Sequence, residues 1–353
     1  MSDWAKQLSD CGSRSGALSS VLTVVVFGLA FGAVFGGNER GNENMGFNQT
    51  KDSRRADAAD DPPREAAGPS LSLGENISRF GVDLLARVVE ENAGENVFVS
   101  PLSVFTSLAM VGIGASGPDG EGRQSTVSNE FRSVLGLDLE DRTARDEMRA
   151  LVAGLKAMDG PVTMLEANSV WTGTGIKPSY VTALQKSFNA LAKTLPTSAK
   201  PINSWVSERT ASKINNLLAD EVVSDPLVRL IVVNAVYFKG MWRRKFEKER
   251  TVKGVFLSGK SGREEACMMM RLKAKIPVAE TEDGGVAVAL AYGNEMSDVR
   301  AVAYLPPLTA VILPTTWAQI SAELSDSSLS ERDVLLRIPR FKVEFGAEVR
   351  NRW

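Results

Sequence analysis

The stretch Leu230 to Phe238, LIVVNAVYF, is apolar at every position except Asn234 and constrains the fold more than any other part of the chain. A run so short and so rich in Val, Ile and aromatics predicts a strand covered on both faces, closed by the turn pair Lys239-Gly240. Asn234 must then find partners. An amide left unpaired there would cost about 1–3 kcal/mol, so another segment has to reach it with hydroxyls or backbone groups. The segment NVFVSPLSVF, residues 96–105, can do so: Asn96 to Val99 reads as a short strand, Ser100 as a helix N-cap and Pro101 as first-turn proline. Ser103 is small enough to sit inside that helix's buried face, with Leu102, Phe105, Leu108 and Ala109, and donate its hydroxyl to the amide.

Around this centre the pattern alternates between helical and extended periods. Ile77, Phe80, Leu84 and Val88 recur at helical spacing, with Leu85 and Val89 widening the stripe and Gly94 ending it. Residues 126–158 read as helical with a turn at Gly136, Thr163 to Trp171 as a strand, Tyr180 to Ala190 as a helix, and residues 201–218 as a helix and turn. Short β-type runs follow over 254–270 and 276–304, and Leu336 to Phe345 alternate with a slip at Pro339-Arg340 that predicts a bulge. The sum is an α+β domain over residues 74–353.

Several chemistries are excluded. The chain has no histidine, which removes Ser-His-Asp and Cys-His catalysis and every His-containing metal site. Cys11 and Cys267 form neither a cluster nor a framework, so no metal and no cofactor is expected. Gly112-Ile-Gly114-Ala-Ser-Gly117 spells a dinucleotide fingerprint, yet its glycines close a helix instead of opening one. Met268 to Met270 read as strand packing, not a soft-metal site. Six basic residues between Lys239 and Arg250 are diluted by Glu247 and Glu249 within a net charge of −2, and nucleic acid is not an expected partner.

The N-terminal region has a different character. Behind a head of residues 1–16, the run ALSSVLTVVVFGLAFGAVF at 17–35 is charge-free and about as long as a bilayer core requires. It reads as an uncleaved signal anchor or a cleaved signal peptide, spanning 17–36, and either routes the domain to the secretory pathway, outside the cytosol. Residues 37–73 are polar and proline-bearing, a disordered linker. The acceptor patterns Asn48-Gln-Thr50 and Asn76-Ile-Ser78 are glycosylation candidates in such a compartment.

The Lys-Gly turn with Trp242 behind it, the NVFVSPLS segment, VTMLEANSVW, Phe188-Asn189-Ala190, PINSWVSERTASKINNLL and RIPRFKVE resemble segments of the serpin family of serine-protease inhibitors. The resemblance implies a multi-domain fold of helices packed on β-sheets and a suicide mechanism, in which a protease cleaves an exposed loop that then inserts into the central sheet. It implies that Ser100, Ser103 and Asn234 form the shutter beneath that sheet and that Trp242 lies at the breach at its top. The implied partner is a serine or cysteine protease, and the chain is no enzyme. No segment up to Trp353 resembles the reactive centre loop, so the 353 residues as written are expected to trap no protease, to lack a reactive bond, and to fold poorly for want of closing strands. A non-inhibitory binding or scaffold protein on the same fold is the other reading.

Overall fold

A computed structural model describes residues 23–27, 71–92, 96–116, 126–158, 160–173, 175–258, 263–280, 284–295, 297, 299–306 and 331–343. The head, most of the linker, Cys11, Asn48 and Gly117 lie outside the described residues.

The helices begin where local chemistry starts them. Helix α1 (Leu73–Glu91) opens on a capping box, with the Glu75 N–H donating to Ser72 Oγ at 3.3 Å and the Ser72 N–H to Glu75 Oε2 at 2.7 Å. Its buried stripe is Leu73, Phe80, Leu84 and Val88, narrower than expected, because Leu85 and Val89 are exposed. Helix α2 (Pro101–Ser116) follows an irregular stretch, for residues 96–99 form no strand; the Ser103 N–H donates to Ser100 Oγ at 3.4 Å, as an N-cap requires. The helix also runs on through Gly112 and Gly114 to Ser116, where closure at the glycines was expected. A Cβ on Gly112 would stand 2.5 Å from Leu139 Cδ1 and 3.0 Å from Phe131 Cγ, so this glycine serves close packing and opens no phosphate cradle. Helices α3 (Thr126–Leu135), α4 (Arg142–Lys156), α5 (Pro178–Phe188), α6 (Lys200–Arg209) and α7 (Asp220–Ser224) complete the set among the described residues.

Two sheets carry the rest. In the first, strands β1 (Thr23–Phe27), β4 (Leu230–Gly240), β2 (Val162–Thr172) and β3 (Leu191–Thr194) lie in that order. β4 is antiparallel to β2 along its whole length, while β1 runs parallel to β4, and β3 to β2. One face of this sheet gives Val170 and Val232 to a core shared with α1, α2, α4 and α5; the other gives Ala167, Trp171, Ile231, Val233 and Ala235 to a core under α6 and α7. The expectation of a strand buried on both faces is met.

The second sheet hangs on β6 (Arg263–Glu280), a single strand of 18 residues where several short ones were expected. It pairs with β5 (Val252–Ser258) over its first part, with β9 (Glu331–Pro339) from Met269 to Pro277, and with β7 (Val286–Ala291) at its end; β8 (Arg300–Leu305) pairs with β7. β9 stops at Pro339, with no strand beyond it among the described residues, and the Arg340 N–H donates to Met268 O at 2.7 Å. Met268 is exposed on β6. Leu305, Leu335 and Phe341 are 69%, 60% and 71% exposed, so this sheet presents apolar surface to solvent.

One expectation changes in this fold. No helix among the described residues is long and apolar enough to cross a membrane; of the charge-free run only Thr23–Phe27 lies within the described residues, as a strand. Its first four residues are Thr and Val, whose branching stiffens χ1 and favours an extended backbone. Asn76 is only 2% exposed and its Nδ2 donates to Leu71 O at 3.3 Å, so a glycan on that nitrogen does not fit this fold.

Candidate functional site

The register between β2 and β4 sets Asn168 directly opposite Asn234. Asn234, fully buried, donates through Nδ2 to Asn168 Oδ1 at 2.6 Å and to Glu166 Oε1 at 3.2 Å. Asn168 in turn donates to the Phe188 carbonyl at the end of α5, at 3.0 Å. The period of two along a strand brings residues 166, 168 and 170 to one face, so the cluster lies on the α2 side with Val170 and Val232.

This corrects the expected pairing. Ser100 and Ser103 are buried on α2, which packs against β4, but the Ser100 hydroxyl donates to Ser103 Oγ at 2.9 Å and neither serine bonds Asn234. Asn234 has a nearer source of acceptors across the strand pair. Its own Oδ1 finds no donor among the described residues, nor do the Thr106 and Ser107 hydroxyls on α2 find partners. Asn168 and Glu166 are the residues that sequence reasoning missed. The signal was present, since Glu166 is the one charge within MLEANSVW, an otherwise strand-like run.

Burial pushes the Glu166 carboxyl above its usual range, with hydrogen bonds from Asn168 and Asn234 pulling partly back. A carboxyl raised in the folded state favours folding while protonated, and that contribution is fully present below pH 4.5 and lost as pH rises through its raised value. Glu166→Gln should therefore match the parent in acid and exceed it in stability at neutral pH, as read from urea melts across a pH series. Identical melts at every pH would mean that the carboxylate is solvated.

At the other end of β4 lies an aromatic cluster. Trp242 stacks on Tyr292 with centroids 4.2 Å apart and planes at 17°, and meets Phe246 edge-on at 6.0 Å. Tyr292 in turn meets Phe238 edge-on at 5.3 Å. Val162, Phe238 and Tyr292 join the first sheet to the second, and Trp242 packs against this cluster and against the core of the second sheet. The basic stretch around it is exposed; Arg243 Nη2 donates to the Asn294 and Ser297 carbonyls, each at 2.6 Å, and Arg250 Nε pairs with Glu247 Oε2 at 2.6 Å. A Cβ on Gly240 would fall 2.5 Å from Tyr292 Cδ1 and 2.9 Å from Phe238 Cζ. Gly240→Ala should cost about 1–3 kcal/mol by overpacking and weaken the near-ultraviolet dichroism of the stacked rings. An unchanged melt and spectrum would dissociate this end of β4 from the cluster.

Among the described residues no group of His, Cys, Asp and Glu could hold a metal ion. The chain matches the family model described as Serpin (serine protease inhibitor) over residues 75–352. It is 31% identical to the leukocyte elastase inhibitor of Bos taurus over 283 residues, covering 76% of this chain and 72% of that protein. Among solved structures it resembles cleaved Serpin 42Da, at TM-score 0.63 and 27% identity over 76% of this chain and 72% of that one. It also resembles emu (Dromaius novaehollandiae) ovalbumin, at TM-score 0.66 and 19% identity over 77% and 74%.

Proposed function

Since the chain belongs to the serpin family, we propose that it is the sheet-bearing body of a protease inhibitor that acts by taking a cleaved loop as an added strand beside β4. The observation that supports this reading is the inequality of the two edges of β4. β2 pairs with one edge from Leu230 to Gly240, whereas the other is met only from Ile231 to Ala235. Beyond Ala235, toward the Trp242 cluster, that edge has no paired strand among the described residues. A strand already buried on both faces, with one edge only partly covered by a neighbouring strand, is a ready acceptor for another strand. In this reading the Asn234 cluster fixes β4 against β2 while the opposite edge changes partner.

The partner would be a serine protease, and the name of the bovine relative makes leukocyte elastase the first to try. The natural protein, isolated from its source and mixed with a panel of serine and cysteine proteases, should give an adduct that survives a denaturing gel. Simple cleavage of the protein with no adduct, by every protease tried, would instead favour a binding or scaffold role on the same fold.

A further inference from the structure

The partly paired edge of β4 has an occupant from the chain's own N-terminal region. Thr23 to Phe27 lie against Ile231 to Ala235 in parallel register, residue for residue, so that Val25 is the partner of Val233 and Val26 of Asn234. β1 also approaches α2, the helix under this part of the sheet. The sequence suits the place: Thr-Val-Val-Val-Phe consists wholly of β-branched and aromatic residues and ends at Gly28.

We propose that the apolar N-terminal run is a resident strand: Thr23–Phe27 occupies the acceptor edge of β4 within the same molecule and covers its Asn234 end. The pairing fills five of the eleven positions of β4, from Ile231 to Ala235. A strand adding to this edge from the Trp242 side would have to displace β1 to pass Ala235. This last consequence, a resistance that an inserting strand must overcome, rests on the inhibitor reading. The pairing itself does not. It also sets the run apart from a bilayer span, since five of its central residues cannot be a sheet strand and a transmembrane helix at once.

The full 353-residue chain supplies the test. With Cys11→Ser and Cys267→Ser as background, Val25→Cys with Val233→Cys places two thiols on register partners, whose Cα spacing in a paired sheet lies within disulfide range. Mild oxidation should give an intrachain disulfide mapped by mass spectrometry, while Val25→Cys with Leu257→Cys gives none. In parallel, Val25→Pro should speed hydrogen exchange at least tenfold at those amides of Ile231 to Ala235 that point away from β2. The disulfide decides should the proline variant fail to fold. No intrachain disulfide would overturn the proposal. So would a disulfide-linked dimer, which gives the edge to a second copy, or a Val25→Cys thiol shielded from a water-soluble reagent only when phospholipid vesicles are added. Neither readout involves a protease, so the pairing stands or falls apart from the inhibitor reading.

Discussion

A Phe105→Ala protein should lose about 3–5 kcal/mol of folding stability, enough to remove a large part of what holds an ordinary domain together. Phe105 is fully buried on α2 and meets Phe80 of α1 edge-on, with centroids 5.7 Å apart. The core it belongs to gathers residues from α1, α2, α4, α5, β2 and β4, so a cavity there cannot be closed by moving one element. Phe105→Leu keeps most of the volume and should cost less than half as much. Urea melts of the two variants check this. A loss under about 1 kcal/mol for the alanine would mean that α2 is not the packing centre of the domain.

The second large effect is expected at Asn234→Leu. Two acceptors, Asn168 Oδ1 and Glu166 Oε1, lose their shared donor in a place where burial already works against the Glu166 charge. At about 1–3 kcal/mol for each polar group left unpaired, less what relaxation recovers, the loss should be about 2–4 kcal/mol. Asn168→Leu removes one of the two acceptors, so the double variant Asn168→Leu/Asn234→Leu should cost clearly less than the sum of the singles. Strict additivity would show that the two amides do not act as a unit. A mutant melting with the parent would take Asn234 out of any buried network.

These two residues also mark how far the sequence could be read. The stripe of α1, the N-cap at Ser100 and the doubly buried β4 follow from local pattern, because periodicity and capping act within a few residues, whereas Lys239-Gly240, expected as a turn, is the paired end of β4. The family resemblance carried the α+β fold, and the match over residues 75–352 agrees with it. What local pattern did not carry was register. That Asn168 lies across from Asn234 is a fact about two strands 66 residues apart, so the two serines, able donors on a neighbouring helix, were assigned to an amide already served from elsewhere. β6 was read as separate runs for a similar reason. Arg271, Lys273 and Lys275 interrupt the apolar pattern between the two runs, but pairing with Arg337, Leu335 and Asp333 of β9 carries the strand through them.

The place of β1 beside β4 sets a schedule for the growing chain. Thr23–Phe27 leaves the ribosome about 200 residues before its partner strand is made. At roughly 5–20 residues per second, that is about 10–40 s during which a β-branched apolar segment has no edge to join. Throughout that interval it competes with itself in other copies, with chaperones and with any nearby bilayer for the same backbone groups. Whether a given molecule ends with its sheet filled or its leading segment captured elsewhere is then decided by the pace of synthesis, before equilibrium stability has any say.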